Sequence, residues 1–431
     1  MGSIVVPYAS IQQAFTENPT AVHEAVDQAA SAAATGDADE RARLIAQWHE
    51  ALAALEAADH DPAALSAPRS DLASRLQSML AERASAEGKV QTVVPKATVT
   101  TDAGQTEAAE VVQVKFDNND LIGWIGTGLR IIFKKDKHPW LPPPDVPETI
   151  PDDAKIAMFS DWGTGLYGAP IIRDTIKRLP RCDIALHLGD TYYSGTDDEI
   201  RDRLIGDWPT RPGTVNRALN GNHEMYSGGK GYFEALASFF GQASSCFAMQ
   251  NTGWLILGLD TAYKDFDLDA AQVTWVKKMV AAAGTRHVIL CSHHQPFSTL
   301  DEQGPKLQAA LTELLDRQRL TAWFWGHEHR LVVYEPHHKW GVKGRCVGHG
   351  GFPASRDTDV GAGGNVYKWI HMHSRPHAPE ALLLDGPNFW VTAKPDQYAP
   401  HGYLFLELDG AKAWETYRTP DNVAVSERWQ L

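Results

Sequence analysis

Apolar runs alternate with amphipathic stretches through the middle of the chain. The runs KIAMFSD, CDIALHLGD, HVILCSHH and TAWFWGHEH predict buried strands. The stretches APIIRDTIKRL, AAQVTWVKKMVAAA and PKLQAALTELLDRQ between them have the spacing of amphipathic helices, and SCFAMQNTGWLILGLDT predicts a hairpin. Strands that alternate with helices indicate an α/β architecture with a largely parallel sheet. The tail, with RLVVYEP, ALLLDGPNFWVTA, GYLFLELDG and AKAWETYRTPD, predicts added antiparallel strands.

The first third of the chain has a different pattern. ARLIAQWHEALAALEAA and DLASRLQSMLAERA predict helices, and the run KKDKHPWLPPPDVPETIP reads as a proline-rich linker. We therefore expect two parts: residues 1–150, a mainly helical N-terminal region that ends in the linker, and residues 151–431, an α/β domain with antiparallel C-terminal strands. The N-terminal helices either mediate protein contacts or pack as a decoration on the main domain.

Charge and cysteine content narrow the function classes. The chain has 431 residues and a formal net charge of -14, which argues against binding to nucleic acid or to an anionic membrane, and leaves a small anionic substrate open. No stretch approaches the roughly 20 apolar residues that span a bilayer. The four cysteines lack metal-site or disulfide spacing and predict buried thiols and a cytoplasmic location.

Polar side chains follow the predicted strands at their ends, where open α/β sheets place ligands. Asp161 and Asp190 end the first two strands, Asn222 and His223 end the strand-like run RALNGNHE that comes third, and His293 with His294 ends the later strand HVILCSHH. His327 and His329 are two apart, so an extended backbone would point both the same way. Carboxylates, an amide and imidazoles without thiolates suit iron, manganese or zinc, and one carboxylate can bridge two such ions.

A competing interpretation comes from the glycines of FSDWGTGLYG. Gly163, Gly165 and Gly168 fit the G-x-G-x-x-G fingerprint of dinucleotide-binding loops, and Asp190 lies at the spacing of its ribose-binding acid. A pyrophosphate there would be repelled by the carboxylate of Asp161. The histidine-rich motifs also have no role in a dinucleotide site. The metal interpretation is therefore favoured over an oxidoreductase.

Five motifs in order carry a family resemblance. DWG, GDTYY, GNHE, SHHQP and GHEH, spread over about residues 154–353, resemble the calcineurin-like metallophosphoesterase superfamily and, within it, the purple acid phosphatases. The resemblance implies a four-layer α/β/β/α sandwich that holds two metal ions, iron with a second divalent ion (Fe, Zn or Mn). It also implies hydrolysis of a small phosphorylated substrate, in which metal-bound hydroxide attacks phosphorus in line.

The resemblance assigns roles to the matching residues. It implies a first ion held by Asp161, Asp190, Tyr193 and His329, and a second ion held by Asn222, His293 and His327, with Asp190 bridging. His223 is implied to be catalytic, as a group that stabilises the phosphoryl group or protonates the leaving oxygen. Glu224 is expected to orient His223.

Two departures from the family pattern concern these roles. Gly163 stands where most of the superfamily has a histidine, and Tyr193 is the ligand that the purple branch uses instead. The histidine that purple phosphatases commonly carry after the fourth motif is missing from FSTLDEQGP, so His294 or His349 are its possible substitutes. His293 is preferred over His294 as the ligand.

Other polar and aromatic residues are expected to lie at the rim of the site, in turns or in the core. Arg356, in a glycine-rich loop assigned to the site rim, is a candidate phosphate contact. Asp260 and Thr261 are expected to cap a turn, and the tryptophans of WFWGHEH to pack in the core.

Three functions follow, in order of preference. A phosphomonoesterase leads, because the purple branch consists mostly of monoesterases. A phosphodiesterase on the same metal centre is the alternative, and a non-catalytic metal-binding scaffold that works through the N-terminal helices is a third.

Overall fold

The computed structural model describes residues 137–162, 168–301, 303–356, 363–391 and 395–431 of the main part of the chain. Before them it describes residues 4–5, 19–34, 36–57, 72, 74–79, 90–92, 97–100, 106–109 and 112–114. Residues 115–136, the glycine-rich loop at 163–167 and residues 357–362 of the predicted rim loop lie outside the described residues.

The described strands are numbered in chain order. In the N-terminal region they are β1 Ile4–Val5, β2 Val90–Thr92, β3 Ala97–Thr100, β4 Thr106–Ala109 and β5 Val112–Val114. The main part contains β6 Glu148–Thr149, β7 Lys155–Phe159, β8 Ile184–His187, β9 Val215–Ala218, β10 Phe247–Gln250, β11 Trp254–Gly258, β12 His287–Cys291, β13 Ala322–Trp325, β14 Leu331–Pro336, β15 Lys343–Val347, β16 Lys368–Met372, β17 Ala381–Asp385, β18 Tyr403–Asp409, β19 Lys412–Arg418 and β20 Trp429–Gln430.

The helices are numbered in the same way. They are α1 Pro19–Ala33, α2 Ala38–Ala57, α3 Gly168–Arg178, α4 Asp197–Glu199, α5 Asn222–Tyr226, α6 Lys230–Ala235, α7 Ala270–Ala282 and α8 Pro305–Asp316. A wider π turn continues α4 over Ile200–Ile205 and α6 over Leu236–Phe240. Among the helices in the described part of the chain, none combines the length and apolar character that a membrane span requires.

Two mixed sheets form the centre of the domain. One has the order β16-β17-β14-β15-β13-β12-β11-β10-β6, and the other the order β20-β19-β18-β7-β8-β9. The strands that precede the polar clusters are parallel to their neighbours: β7 to β8, β8 to β9, and β11 to β12 to β13. The C-terminal strands β18 to β20 pair antiparallel. Parallel neighbours bring their carboxyl ends, and so the predicted site residues, to one edge.

Strand alternation distributes the apolar side chains over three core layers. In β7, Ile156 and Met158 face the layer between the sheets, whereas Ala157 and Phe159 face the helices α3 and α6. In β13, Phe324 lies between the sheets, while Trp323 and Trp325 pack with α7 and α8. The predicted four-layer α/β/β/α sandwich is confirmed, and both tryptophans are core residues, as expected.

Residues 137–150 pack against this domain. The ring of His138 stacks on Phe233 with 4.5 Å between centroids, and Trp275 Nε1 donates to the carbonyl of Pro144 at 2.7 Å. β6 pairs with β10. The boundary predicted near Pro151 stays a prediction, and these contacts favour an earlier one.

In the N-terminal region, α1 and α2 form a small helical pair. Ala30, Ala34 and Leu44 are buried between them, and Arg41 pairs with Asp27. Residues 74–79 are also helical. All four cysteines of the main domain are buried free thiols, and the cytoplasmic location inferred from their spacing stays a prediction.

Candidate active site

The structure brings the predicted strand-end residues together at one edge of the two sheets. His293 is the centre of the cluster, because its Nε2 lies 3.2 Å from Asp190 Oδ2, from Asn222 Oδ1 and from His327 Nδ1. His329 Nε2 lies 3.5 Å from Asp161 Oδ1. The donor atoms of Asp161, Asp190 and His293 lie within 4.8 Å of one another, which joins these contacts into one set of predicted metal ligands: Asp161, Asp190, Asn222, His293, His327 and His329.

Four of these residues have a left-handed backbone. The φ angle is 54° at Asp161, 73° at Asp190, 66° at His327 and 54° at His329. Side chains other than glycine rarely adopt this conformation, and it clusters at functional sites, where the surrounding fold imposes it. The premise of an extended backbone at His327 and His329 was wrong: the chain turns at both, so one imidazole faces His293 and the other faces Asp161.

The donor atoms form two overlapping groups. Asp161, Asp190 and His293 bring their donors within 4.8 Å of one another, and so do His293, His294 and His327. Asp161 Oδ1 and His294 Nε2 are buried without a hydrogen-bond partner among the described residues. Leaving such atoms unpaired is costly, and a cation would compensate for it. Oxygen and nitrogen donors without thiolate fit iron, zinc or manganese.

The two carboxyl groups of this cluster differ in their electrostatics. Burial, together with the neighbouring charge of Asp190, raises the pKa of Asp161 well above its usual value. Burial acts in the same direction on Asp190, but the imidazoles of His293 and His223 outweigh it and hold the pKa of Asp190 well below its usual value. Asp190 is therefore the ionised carboxylate at the centre of the site.

The two tyrosines of GDTYY have different surroundings. The hydroxyl of Tyr192 donates to Asp190 Oδ2 at 3.0 Å and contacts His329 Nε2. Tyr193 is fully buried, and the guanidinium of Arg203 lies 5.4 Å from its ring centroid. The hydroxyl of Tyr192, a residue that the motif spacing did not select, thus lies beside two predicted ligands, and the hydroxyl of Tyr226 accepts from a third, Asn222 Nδ2, at 2.7 Å. The assignment of Tyr193 stays a prediction.

His223 contacts the carboxylate of Asp190. Its backbone N–H donates to Asp190 Oδ1 at 3.0 Å, its Nδ1 bonds the carbonyl of Tyr193, and its Nε2 is 3.8 Å from Asp190 Oδ2. A carbonyl oxygen only accepts, so Nδ1 carries the hydrogen, and Nε2 can hold or release a proton. Burial lowers the pKa of His223, and the negative charge of Asp190 acts in the opposite direction without cancelling this shift.

Glu224 does not orient His223, contrary to the prediction. Its Oε2 accepts from the backbone N–H of Asp190 at 3.1 Å and of Gly221 at 2.7 Å, in a capping-box contact at the start of α5. The carbonyl of Tyr193 holds the His223 ring instead. Gly221 has to be small, because a Cβ there would lie 2.1 Å from Asp190 Oδ1. Glu224 therefore fixes the backbone that presents Asp190.

His294 is the neighbour of the preferred ligand and also enters the site. Thr261 Oγ1 lies 2.9 Å from its Nδ1, which leaves Nε2 pointing away from the hydroxyl. Asp260 caps the following turn by accepting from the N–H groups of Ala262 and Tyr263, as expected. The ring centroids of Phe266 and His294 are 3.9 Å apart, and the backbone φ angle of Phe266 is 54°. Nothing in the sequence signals this aromatic contact.

Two other candidates have different surroundings. His349 is buried beside His401 and Gly402, and burial lowers the pKa of its imidazole to about 3. Its role as a substitute for the missing site histidine stays a prediction. The prediction that Arg356 contacts phosphate is contradicted. Its Nε donates to Asp385 Oδ1 at 2.7 Å, and both side chains are about 5% exposed. Arg356 is the cation of a buried ion pair.

Arg356→Ala is therefore expected to destabilise the protein and leave substrate binding unchanged. Removing one partner of a buried ion pair leaves the other charge uncompensated, which lowers the free energy of unfolding by about 3 kcal/mol. Urea unfolding measures the loss, and Arg181→Ala, which breaks an exposed pair with Asp153, is the matched control with a loss below about 1 kcal/mol. A large rise in KM at unchanged stability would contradict this placement.

Comparisons with known proteins agree with the motifs. Residues 154–331 match the family model of calcineurin-like phosphoesterases. Tartrate-resistant acid phosphatase type 5 of Sus scrofa is 24% identical over 221 residues, which are 41% of this chain and 64% of the pig protein. The matched region thus spans a little under two thirds of that relative.

Solved structures with a similar fold include two that cover 65% of this chain. Purple acid phosphatase PPD1 from yellow lupin (Lupinus luteus) has a TM-score of 0.49 at 15% identity, with 54% of its own chain covered. GAP50 of Plasmodium, described as the anchor in the inner membrane complex, has a TM-score of 0.45 at 14% identity, with 88% covered. From the family model and the pig relative, the segment of residues 154–331 matches the calcineurin-like phosphoesterases, a family of hydrolases, and the resemblance predicted from its five motifs is confirmed.

Proposed function

We propose that this protein is a dinuclear metal-dependent phosphoester hydrolase that acts on small phosphomonoesters. The observation that carries the proposal is the convergence of two buried donor groups that share His293, with Asp190 in contact with it. Two such groups in one site match the pattern of two-metal hydrolysis. The monoester preference rests on the resemblance to acid phosphatases.

The residues would divide between two ions. Asp161, Asp190 and His329 would hold the first, and Asn222, His293 and His327 the second, with Asp190 facing both. When bound, such a pair activates a water molecule and neutralises the phosphoryl oxygens. We propose iron with a second divalent ion (Fe, Zn or Mn) for this donor set.

The chain's own groups complete the reaction. In its protonated form His223 would carry a hydrogen on both ring nitrogens: Nδ1–H donates to the carbonyl of Tyr193, which leaves the Nε2 proton for the leaving oxygen. Glu224 holds the backbone of Asp190 and Gly221, and so keeps the Asp190 carboxylate aimed at the imidazoles.

The phenol ligand gives a spectroscopic prediction. We propose that Tyr192 supplies it, because its hydroxyl contacts both Asp190 and His329. A phenolate on ferric iron absorbs visible light, so Tyr192→Phe is expected to abolish the visible band of the iron-loaded protein, and Tyr193→Phe, the matched control, to retain it. The reverse result would restore the assignment of Tyr193.

Substrate class is tested with one preparation and two esters. We expect turnover of p-nitrophenyl phosphate to exceed that of bis(p-nitrophenyl) phosphate. Turnover of the diester alone would replace the proposal by the phosphodiesterase alternative. No turnover of either ester by protein loaded with two ions would favour the scaffold.

A further inference from the structure

A short helical piece of the N-terminal region is buried against the loop that carries the metal-site tyrosines. Within residues 74–79, the side chains of Ser74, Leu76, Gln77 and Ser78 are each 1% exposed or less. Ser78 Oγ lies 2.7 Å from Ser194 Oγ and donates to Glu199 Oε1 at 3.0 Å. Residues more than a hundred positions apart therefore share one buried hydrogen-bond network.

Glu199 is the centre of that network. Its carboxylate accepts from the backbone N–H groups of Tyr193 at 2.7 Å, Ser194 at 2.9 Å and Thr196 at 3.2 Å. Arg203 Nη1 donates to the same carboxylate at 3.0 Å and also to the carbonyl of Tyr192. Glu199 is 4% exposed. One buried carboxylate thus holds the loop 192–196 in place, and the N-terminal hydroxyl is an additional donor to it.

The same loop holds the proposed acid. The peptide unit of Tyr193 is bound on both sides: its N–H donates to Glu199, and its carbonyl accepts from His223 Nδ1. A movement of Glu199 would therefore displace the carbonyl that fixes the imidazole of His223. Misplacing a catalytic group by about 1 Å can lower a rate by about 10²-fold.

We infer that Ser78 is a positioning residue of the phosphoester-hydrolase site, acting through Glu199 and the Tyr193 peptide on His223. The inference rests on the proposed function and gives the N-terminal region a role in it. The segment 74–79 supports the loop of the metal site, and the main domain depends on this support for the placement of its acid. The helical region is then neither a free partner-binding module nor a decoration without effect.

The test uses Ser78→Ala in the full chain, with Ser238→Ala as the matched control. Ser238 is exposed on the π turn after α6 and bonds only the carbonyl of its own helix at Glu234 among the contacts described. We expect kcat of Ser78→Ala to fall about tenfold with little change in KM, since misplacement of an acid acts on the transition state. The loss should be larger for phenyl phosphate than for p-nitrophenyl phosphate, whose leaving group needs less protonation.

This leaving-group difference separates positioning from a structural effect. A merely destabilised protein would lose active molecules and so lose turnover of both esters by the same factor. Equal losses on the two esters, or values equal to those of Ser238→Ala, would overturn the inference.

Hydrogen exchange gives a readout that does not depend on turnover. The amides of Tyr193, Ser194 and Thr196 are expected to exchange faster in Ser78→Ala, while those of β11 stay protected. Unchanged exchange at the three amides would overturn the inference. Loss of protection in β11 would mean unfolding, and Ser78→Cys, which fills the same space with a much weaker donor, would then replace the variant. If the parent protein shows no turnover, the proposed function is refuted. Hydrogen exchange alone then tests whether Ser78 supports the loop through Glu199.

Discussion

Asp190→Asn is expected to lower kcat by about 10³-fold or more and to reduce the metal content below two ions per chain. Asp190 is the buried carboxylate that contacts His293 Nε2, the Tyr192 hydroxyl and the His223 backbone. Asparagine has nearly the same shape but no charge, and its amide nitrogen would present a donor toward a cation. Metal analysis and steady-state kinetics on one preparation measure both effects.

The matched control is Asp260→Asn, at another buried aspartate that follows a strand. Asp260 accepts from Ser245 Oγ at 2.6 Å and caps a turn. Its replacement is expected to lower stability while the folded protein keeps both ions and its turnover. If Asp190→Asn retained two ions and normal kcat, the assignment of Asp190 to both ions would be refuted.

His223→Ala is expected to lower kcat by about 10²-fold to 10⁴-fold, with metal content unchanged. The imidazole is held by Tyr193 through Nδ1, with Nε2 3.8 Å from the Asp190 carboxylate, so its loss removes a proton carrier without removing an ion ligand. The reduction should be greater for phenyl phosphate than for p-nitrophenyl phosphate. Comparing the two substrates in parent and variant measures the difference.

His337→Ala serves as its control. His337 is buried and stacks on Trp340 with 4.1 Å between centroids, as part of the packing around the nine-stranded sheet. That variant is expected to lose stability and to keep its turnover per folded molecule. An equal loss of kcat on both esters in His223→Ala would argue against the role of His223 as acid.

Much of the site could be predicted from the sequence because its residues follow apolar runs of strand length. Asp161 comes two residues after β7, Asp190 three residues after β8, and His293 two residues after β12. The two sheets then bring these ends together, as parallel neighbours must. The alternation of strands and helices likewise sufficed for the α/β architecture, whereas the four-layer arrangement was implied by the family resemblance.

Local backbone shape within the motifs was less accessible. The motif spacing selected Tyr193, which stays a prediction, and gave no sign that the hydroxyl of Tyr192 contacts Asp190 and His329. Period-two reasoning failed at His327 because that residue and His329 have positive φ angles, which a strand pattern does not announce. The role of Glu224 did carry a signal, since a glutamate at the third position of a helix often accepts from the N–H of the residue before the helix, here Gly221.

Contacts between segments far apart in the chain could not be predicted from the sequence. Arg356 pairs with Asp385 across 29 positions, and Ser78 meets Glu199 across 121. Neither pair has a periodic pattern that joins its members, because only the completed fold brings them together. The strand β15, inserted beside β13, was also missed, since KGRCV is too short and polar at its start to stand out.

The central claim, that turnover depends on two ions held by this site, is tested most directly by metal titration of the chelated protein. We predict that protein stripped of metal is inactive toward p-nitrophenyl phosphate and that its turnover returns as about two ions per chain are bound. Full turnover in protein stripped of metal, or saturation of binding with no ion at this site, would contradict the account.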